Sequence, residues 1–317
     1  MGDITIQKLK NPAVEHWRPA IPAWWTMLLS ELADLWIGGK ALYLILAYSI
    51  LLGIQTFVLA TNFELSLFSP PEMVFETLKS SIQVSLLIGL IIGSDSISGE
   101  RERATLEGLL LTPASRRQLV FGKFLASIST WPVTLLIAIP FLYLLSQGDA
   151  VFGPALIWGA LVGLLLIPAF TALGMIVSFW CNSNKTSFFI SIGVFLVAIL
   201  MGQVIGTTKT GTFGQTLLMI NPIPSGFDFL SKMVVANGTI AEFWSHLWSC
   251  IVFSVVMLGL LFFYLSPRLM VEEGKMNKLW SKLSQRLGLA VIIFFIFSLG
   301  STPALALRQA RGSDLAV

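Results

Sequence analysis

The chain has 317 residues, 55% of them hydrophobic and only 12% charged, with a formal net charge of +3. Soluble domains carry about 25% charged residues, so an ordinary globular protein is excluded. Uncharged runs cover Ala41–Asn62, Ser80–Ser94, Phe124–Gly148, Ala150–Asn184, Thr186–Thr208 and Phe243–Pro267. A hydrocarbon core of ~30 Å takes about 20 apolar residues to cross, and backbone in lipid must bond to itself. These runs therefore predict an all-α polytopic membrane protein with six spans. The second run is short and is lengthened by counting from Thr77 through neutral Ser80, Ser81 and Gln83.

In chain order, Met1–Lys40 has no continuous apolar stretch of the signal-peptide kind. Within it, Ile21, Trp24, Trp25, Leu28, Leu32, Leu35 and Trp36 fall at helical spacing, with Glu31 and Asp34 off the stripe. That pattern predicts an amphipathic helix lying in the membrane plane. Without a basic polar face, its acidic residues are expected to meet a protein. Placing the N-terminus in the cytoplasm puts 15 of the 20 Lys and Arg residues on that side, as the positive-inside rule requires. Trp24, Trp25, Trp36 and Trp180 then mark the inner interface and Trp244 and Trp248 the outer one.

Ser98–Lys123 reads SGERERATLEGLLLTPASRRQLVFGK and gathers charge between the second and third spans. Glu100 and Glu102 fill a first helical turn, where carboxylates favour the positive dipole end. Glu100 with Arg103, and Arg103 with Glu107, have pairing spacings, and Leu106, Leu109 and Leu110 form an apolar stripe. Pro113 stops the helix, and Ser115 with Gln118 fits a capping box for the third span. A short amphipathic helix at about 99–112 is predicted, mixing both signs as a specific protein contact would.

Further on, Asn221-Pro222 and Pro224-Ser225-Gly226 are turns before an apolar Phe227–Ala236 helix, with Thr239 and Glu242 capping the last span. This predicts short helices at the outer surface over about 213–242. After span six comes a basic segment, then Leu287–Leu307, apolar but broken by Pro303. A seventh span is favoured there over an interfacial hairpin or a signal-like segment. The organisation is thus 1–40, a cytoplasmic segment with the interfacial helix; 41–266, the six-span domain; and 267–317, the basic segment, seventh span and tail. Cys181 and Cys250 fall near opposite faces, so no disulfide and no metal site is expected.

The pattern Gly99-Glu100-Arg101-Glu102, Thr105-Leu106-Glu107, Leu109-Leu110, Pro113 and Gly122-Lys123 closely resembles the type-2 membrane subunits of ATP-binding-cassette (ABC) exporters. With the six spans, the N-terminal helix and Asn221-Pro222, the likeness covers roughly residues 20–266. Glycine often stands in that family where Ala104 stands; alanine there should stiffen the helix without changing its role. The resemblance implies that the helix is a coupling element gripped by a separate ATPase. Its expected contact residues are Glu100, Arg101, Glu102, Arg103, Thr105, Leu106, Glu107, Leu109, Leu110, Arg116 and Arg117. Glu100 and Glu102 would accept hydrogen bonds from the ATPase or brace the N-terminal helix.

The implied partners are an ABC ATPase subunit, a second permease chain (a copy of this one or a related one) and the lipid bilayer, with no nucleic acid. No catalytic residue and no cofactor is expected here; ATP and Mg would sit on the ATPase. None of the Gly-Lys pairs Gly39-Lys40, Gly122-Lys123 and Gly274-Lys275 is followed by Ser or Thr, so none completes a P-loop. An ion-coupled secondary transporter would place ionisable residues at membrane depth, and the span cores have none. An intramembrane metalloprotease would need His-Glu-x-x-His, whereas the histidines are only His16 and His246. A membrane anchor that passes ATPase motion to another protein remains the other alternative. Uncharged walls suit a hydrophobic or amphipathic cargo.

Overall fold

Leu, Ile, Val and Phe dominate runs too long for a strand, and a helix pairs every backbone group within its own segment. The computed structural model describes residues 22–61, 69–112, 114–146, 149–207, 221–236, 238, 240–266 and 269, and every regular element among them is helical. In order these are α1 (Ala23–Trp36), α2 (Lys40–Thr61), α3 (Pro70–Asp95), α4 (Ser98–Glu102), α5 (Leu106–Leu110) and α6 (Arg116–Ile128). There follow α7 (Thr130–Leu145), α8 (Phe152–Trp180), α9 (Asn184–Thr207), α10 (Pro222–Val234) and α11 (Ile240–Gly259), which ends in a π-helical stretch, Leu260–Leu265.

Among the described residues five helices are long and apolar enough to cross a membrane: Lys40–Thr61, Pro70–Glu102, Arg116–Leu145, Phe152–Trp180 and His246–Phe263. Within α9, Asn184–Leu200 is a shorter apolar stretch. The expected seventh span, the basic segment before it and Thr239 of the last capping box lie outside the described residues.

The second span starts earlier than its uncharged run. Pro70 and Pro71 open α3, and the Ser69 amide donates to the Glu72 carboxylate at 2.9 Å, completing a capping box. The third span bends at Ser129, between α6 and α7. Pro132 has no N–H to offer the Ile128 carbonyl, so the ladder breaks there.

The core sits where α3 meets α8 (Phe152–Trp180), with Leu78, Ile82, Leu86, Leu90, Leu166 and Ile167 excluded from solvent. The two backbones nearly touch. A Cβ on Gly93 would lie 2.4 Å from the Thr171 carbonyl oxygen, and one on Gly174 would lie 2.4 Å from that of Leu90. Small residues at such crossings let membrane helices approach closely. A polar seam joins α2, α3 and α7: Tyr48 Oη donates to the Thr134 carbonyl at 2.9 Å and lies 2.7 Å from Ser81 Oγ. Gln55 Nε2 donates to Ser80 Oγ at 2.7 Å, so this glutamine ties two helices together.

The segment expected at the outer surface is built differently. α10 begins at Pro222, five residues before the expected Phe227, because Asn221 caps it by accepting from the Ile223 amide at 3.2 Å. Ile223, Phe227, Phe229, Leu230 and Val234 are buried, and Phe229 meets Trp158 edge-on at 5.6 Å. The helix is wedged into the bundle. Its apolar face is wide enough to demand cover from α8 and α11.

Candidate functional site

The charged stretch lies at one end of the bundle. There α1 (Ala23–Trp36), the start of α2, the end of α3, the charged segment, the start of α6 and the start of α9 converge. The charged segment is not the single helix expected over 99–112. It is two short helices, α4 and α5, separated at Arg103–Thr105. The break is at Ala104, whose φ of 57° is left-handed. Such a backbone costs an L-residue ~1–2 kcal/mol and costs glycine little. Alanine in place of the family's glycine therefore does not stiffen a helix here; it strains a turn.

The break redirects the charges. Arg103 and Glu107 are not paired: Arg103 instead lies 4.0 Å from Asp95 and 3.9 Å from Glu100. Glu100 turns inward, where its carboxylate accepts from Lys123 Nζ at 3.2 Å and from the Thr105 hydroxyl. Glu102 accepts from the Asn184 amide at 2.8 Å and from Ser183 Oγ at 3.4 Å, placing a carboxylate at the positive end of α9. Arg101 Nη1 donates to the Cys181 carbonyl at 2.8 Å and to Asn182 at 3.5 Å, across the end of α8. Ser178 Oγ accepts the Ile97 and Ser98 amides at 3.1 and 2.7 Å. So Glu100, Arg101 and Glu102, expected as contact residues, all bind this same chain.

Of the apolar stripe, Leu106 is buried while Leu109 and Leu110 are half-buried. The outward side of the segment is formed by Glu107, by Gly108, which has open space above it, and by Leu111, which is 86% exposed. Beyond it, Ser115 caps α6 as expected: its amide donates to Gln118 Oε1 at 2.9 Å and its hydroxyl accepts the Gln118 amide at 3.3 Å. Arg116 and Arg117 follow on the exposed face of that first turn.

Lys123 closes the charged stretch but has no partner at helical spacing. Its side chain is 4% exposed and donates to Glu31 Oε1 at 2.5 Å as well as to Glu100. Glu31 thus meets this chain's own third span. Gly122 makes that possible: a Cβ there would press within 3.1 Å of Met27 Cβ and 3.2 Å of the Leu28 amide on α1. At its far end, Trp36 Nε1 donates to Ser129 Oγ at 3.0 Å, holding α1 to the bend of the third span. Asp95 is a second hub, accepting from Lys40 Nζ at 2.6 Å and Asn184 Nδ2 at 2.7 Å. One signal for both hubs was present in the sequence. A lone cation or anion at the edge of an apolar run must find an opposite partner, and isolated acids stood on the predicted amphipathic helix.

These hubs wall a cleft of about 1120 Å³. Its charged side includes Asp34, Lys40, Asp95 and Lys185, and its apolar side Leu44, Ile91, Phe188 and Phe189. Tyr43 and Phe189 are largely exposed, 72% and 68%, at its rim. Both cysteines are free and buried, and burial pushes the Cys181 thiol up to about 11 although Arg101 pulls the other way. Among the described residues no cluster of His, Cys, Asp and Glu could hold a metal ion.

An all-helical, multi-pass membrane bundle with a charged segment pinned across its helix ends is the class of protein described so far. The description of ABC-2 family transporter proteins matches residues 35–269, and the chain belongs to that family. It is 27% identical over 172 residues to the probable multidrug ABC transporter permease YbhR of Escherichia coli K12, covering 51% of this chain and 44% of the relative. It is 35% identical over 106 residues to the probable ABC transporter permease protein NosY of Pseudomonas aeruginosa, covering 33% and 38%. The chain thus spans less than half the length of the curated relatives it matches.

Proposed function

We propose that this chain is the permease subunit of an ABC exporter in the plasma or inner membrane, with its N-terminus and charged end in the cytoplasm. A separate ATPase, holding ATP and Mg, docks on the charged segment, and two permease chains with two ATPases form the working unit. The observation that carries this reading is the division of the segment into two sides. Its inward residues are bonded to three spans, while Glu107, Gly108 and Leu111 project outward. A leucine 86% exposed on a segment so firmly held is a knob for a partner's groove. Movement imposed on that knob passes through Glu100, Arg101 and Glu102 into α6, α8 and α9.

The cleft supports an amphipathic cargo, since it offers fixed charges of both signs beside aromatic walls at the level where spans begin. The printed name of the E. coli relative, a multidrug permease, agrees with a cargo of that kind. The test is co-purification of the ATPase with the full chain, followed by ATP-dependent accumulation of a fluorescent lipophilic cation inside inverted vesicles. Replacing Leu111 by Asp is expected to release the ATPase while the permease still inserts. If the ATPase stays bound at the wild-type level, the outward side is not its dock. Retention of the ATPase without any such accumulation would favour an anchor that passes ATPase motion to another protein.

A further inference from the structure

The contact that carries Glu100 into α6 also reaches a second helix. Lys123 is 4% exposed and stands at the base of the third span, held by carboxylates from two elements far apart in sequence. Glu31 comes from α1 and Glu100 from the charged segment. We infer that Lys123 joins α1 to the charged segment, so that the two move as one body, and that it is a positioning residue for transmission. This rests on the proposed coupling reading, because the motion it transmits is the one an ATPase imposes.

The geometry gives the two contacts different roles. α1 is fixed to the third span at three places: Gly122 under Met27 and Leu28, Lys123 on Glu31, and Ser129 on Trp36. Glu31 is held by Lys123 at 2.5 Å, a short charge-assisted bond. Glu100 lies slightly further away, at 3.2 Å, and also holds Thr105 and approaches Arg103. If the segment pulled away from α1, Lys123 would keep Glu31 but lose half of its compensation while its side chain stays 4% exposed. Buried charge without its partners is strongly disfavoured, so separation is resisted and joint movement is not. α1 is thereby part of the lever, although its sequence reads only as a membrane-surface helix.

Spin labels report this directly. On the full chain in its complex, Leu29→Cys on exposed α1 and Thr112→Cys on the segment are labelled and their distance measured with and without nucleotide trapping. Cys181 and Cys250 are buried and stay unlabelled. The wild-type background is expected to give one narrow distance that does not move with nucleotide. Lys123→Gln should broaden that distance and let it shift on trapping. Lys123→Arg, which keeps the charge and both partners, should restore the narrow peak, and Glu31→Gln should fall between.

A distance that moves in the wild-type background overturns the joint, as does a narrow, immobile one in both Lys123→Gln and Glu31→Gln. Broadening without nucleotide is expected even if no ATPase binds. Co-purification of the ATPase with the unlabelled chain reports separately on the coupling reading. A failed joint and a failed reading therefore give different results.

Discussion

Ala104 shows how much one backbone angle decides. Its left-handed φ of 57° ends α4 and turns Arg103 toward Asp95 and Glu100. Because glycine adopts that conformation without a Cβ penalty, Ala104→Gly is expected to stabilise the turn by about 1 kcal/mol. The measurement is thermal unfolding of the purified protein in detergent, where a lowered midpoint would contradict the strain. Ser178 is the opposite case, a side chain that satisfies others. Its hydroxyl takes the Ile97 and Ser98 amides as α3 gives way to α4. Ser178→Ala leaves buried donors unpaired and should cost roughly 1–3 kcal/mol, read as a lower unfolding midpoint; an unchanged midpoint would mean that other acceptors take over. Cys181 offers a chemical check. With its thiol raised to about 11 by burial, it should resist maleimide near pH 8 until denaturant is added, because the thiolate is the nucleophile. Fast labelling of the native protein would contradict its burial.

At the scale of elements, α3 and α8 (Phe152–Trp180) form the axis around which the rest is arranged. Their approach is limited by Gly93 and Gly174, where an added Cβ would strike a facing carbonyl oxygen at 2.4 Å. Gly93→Leu or Gly174→Leu must push the helices apart. Overpacking of a tight core costs roughly 1–3 kcal/mol or more, so either variant should lower the yield of folded protein in a detergent-stability assay. Gly153→Leu, at a position with nothing nearby, is the matched control and should be silent. Equal losses in all three would mean the crossing is not the cause. The charged segment has the reverse character. α4 and α5 are too short to be stable alone, and bonds to α6, α8 and the start of α9 hold them in place.

For the molecule as a whole, one end is apolar wedge and core, and the other is an ion network around a cleft. Assembly belongs to this scale. α2 presents Leu46, Ile50, Ile54 and Phe57 outward, each more than half exposed, a face for lipid or for a second permease chain. On the proposed reading, complexes purified with their ATPase should contain two permease chains, measurable by mass photometry. A complex with a single permease chain and full transport would contradict it.

The amino-acid sequence by itself determined the class of molecule, because an apolar run of about 20 residues is too long for a barrel strand and satisfies its own backbone in lipid as a helix. Five spans among the described residues, the amphipathic α1 and the Ser115–Gln118 cap were legible for that reason, since each depends on neighbours within a few residues. The early start of α3 was nearly so, as Ser69, Pro70 and Glu72 carry a local capping signal that the charge count hid. Only the tertiary structure decided what the charges do. Spacing along the chain paired Arg103 with both Glu100 and Glu107, and left Glu100 and Glu102 either to an ATPase or to bracing the N-terminal helix. In the fold Glu31 and Glu100 share Lys123, and Glu102 caps α9. Those pairings link residues 23 to 92 positions apart. Hydrophobic periodicity fixes which face of a helix is buried, but the partner of a buried charge depends on which helices meet. That was settled by close backbone packing at Gly93, Gly174 and Gly122 and by the left-handed turn at Ala104.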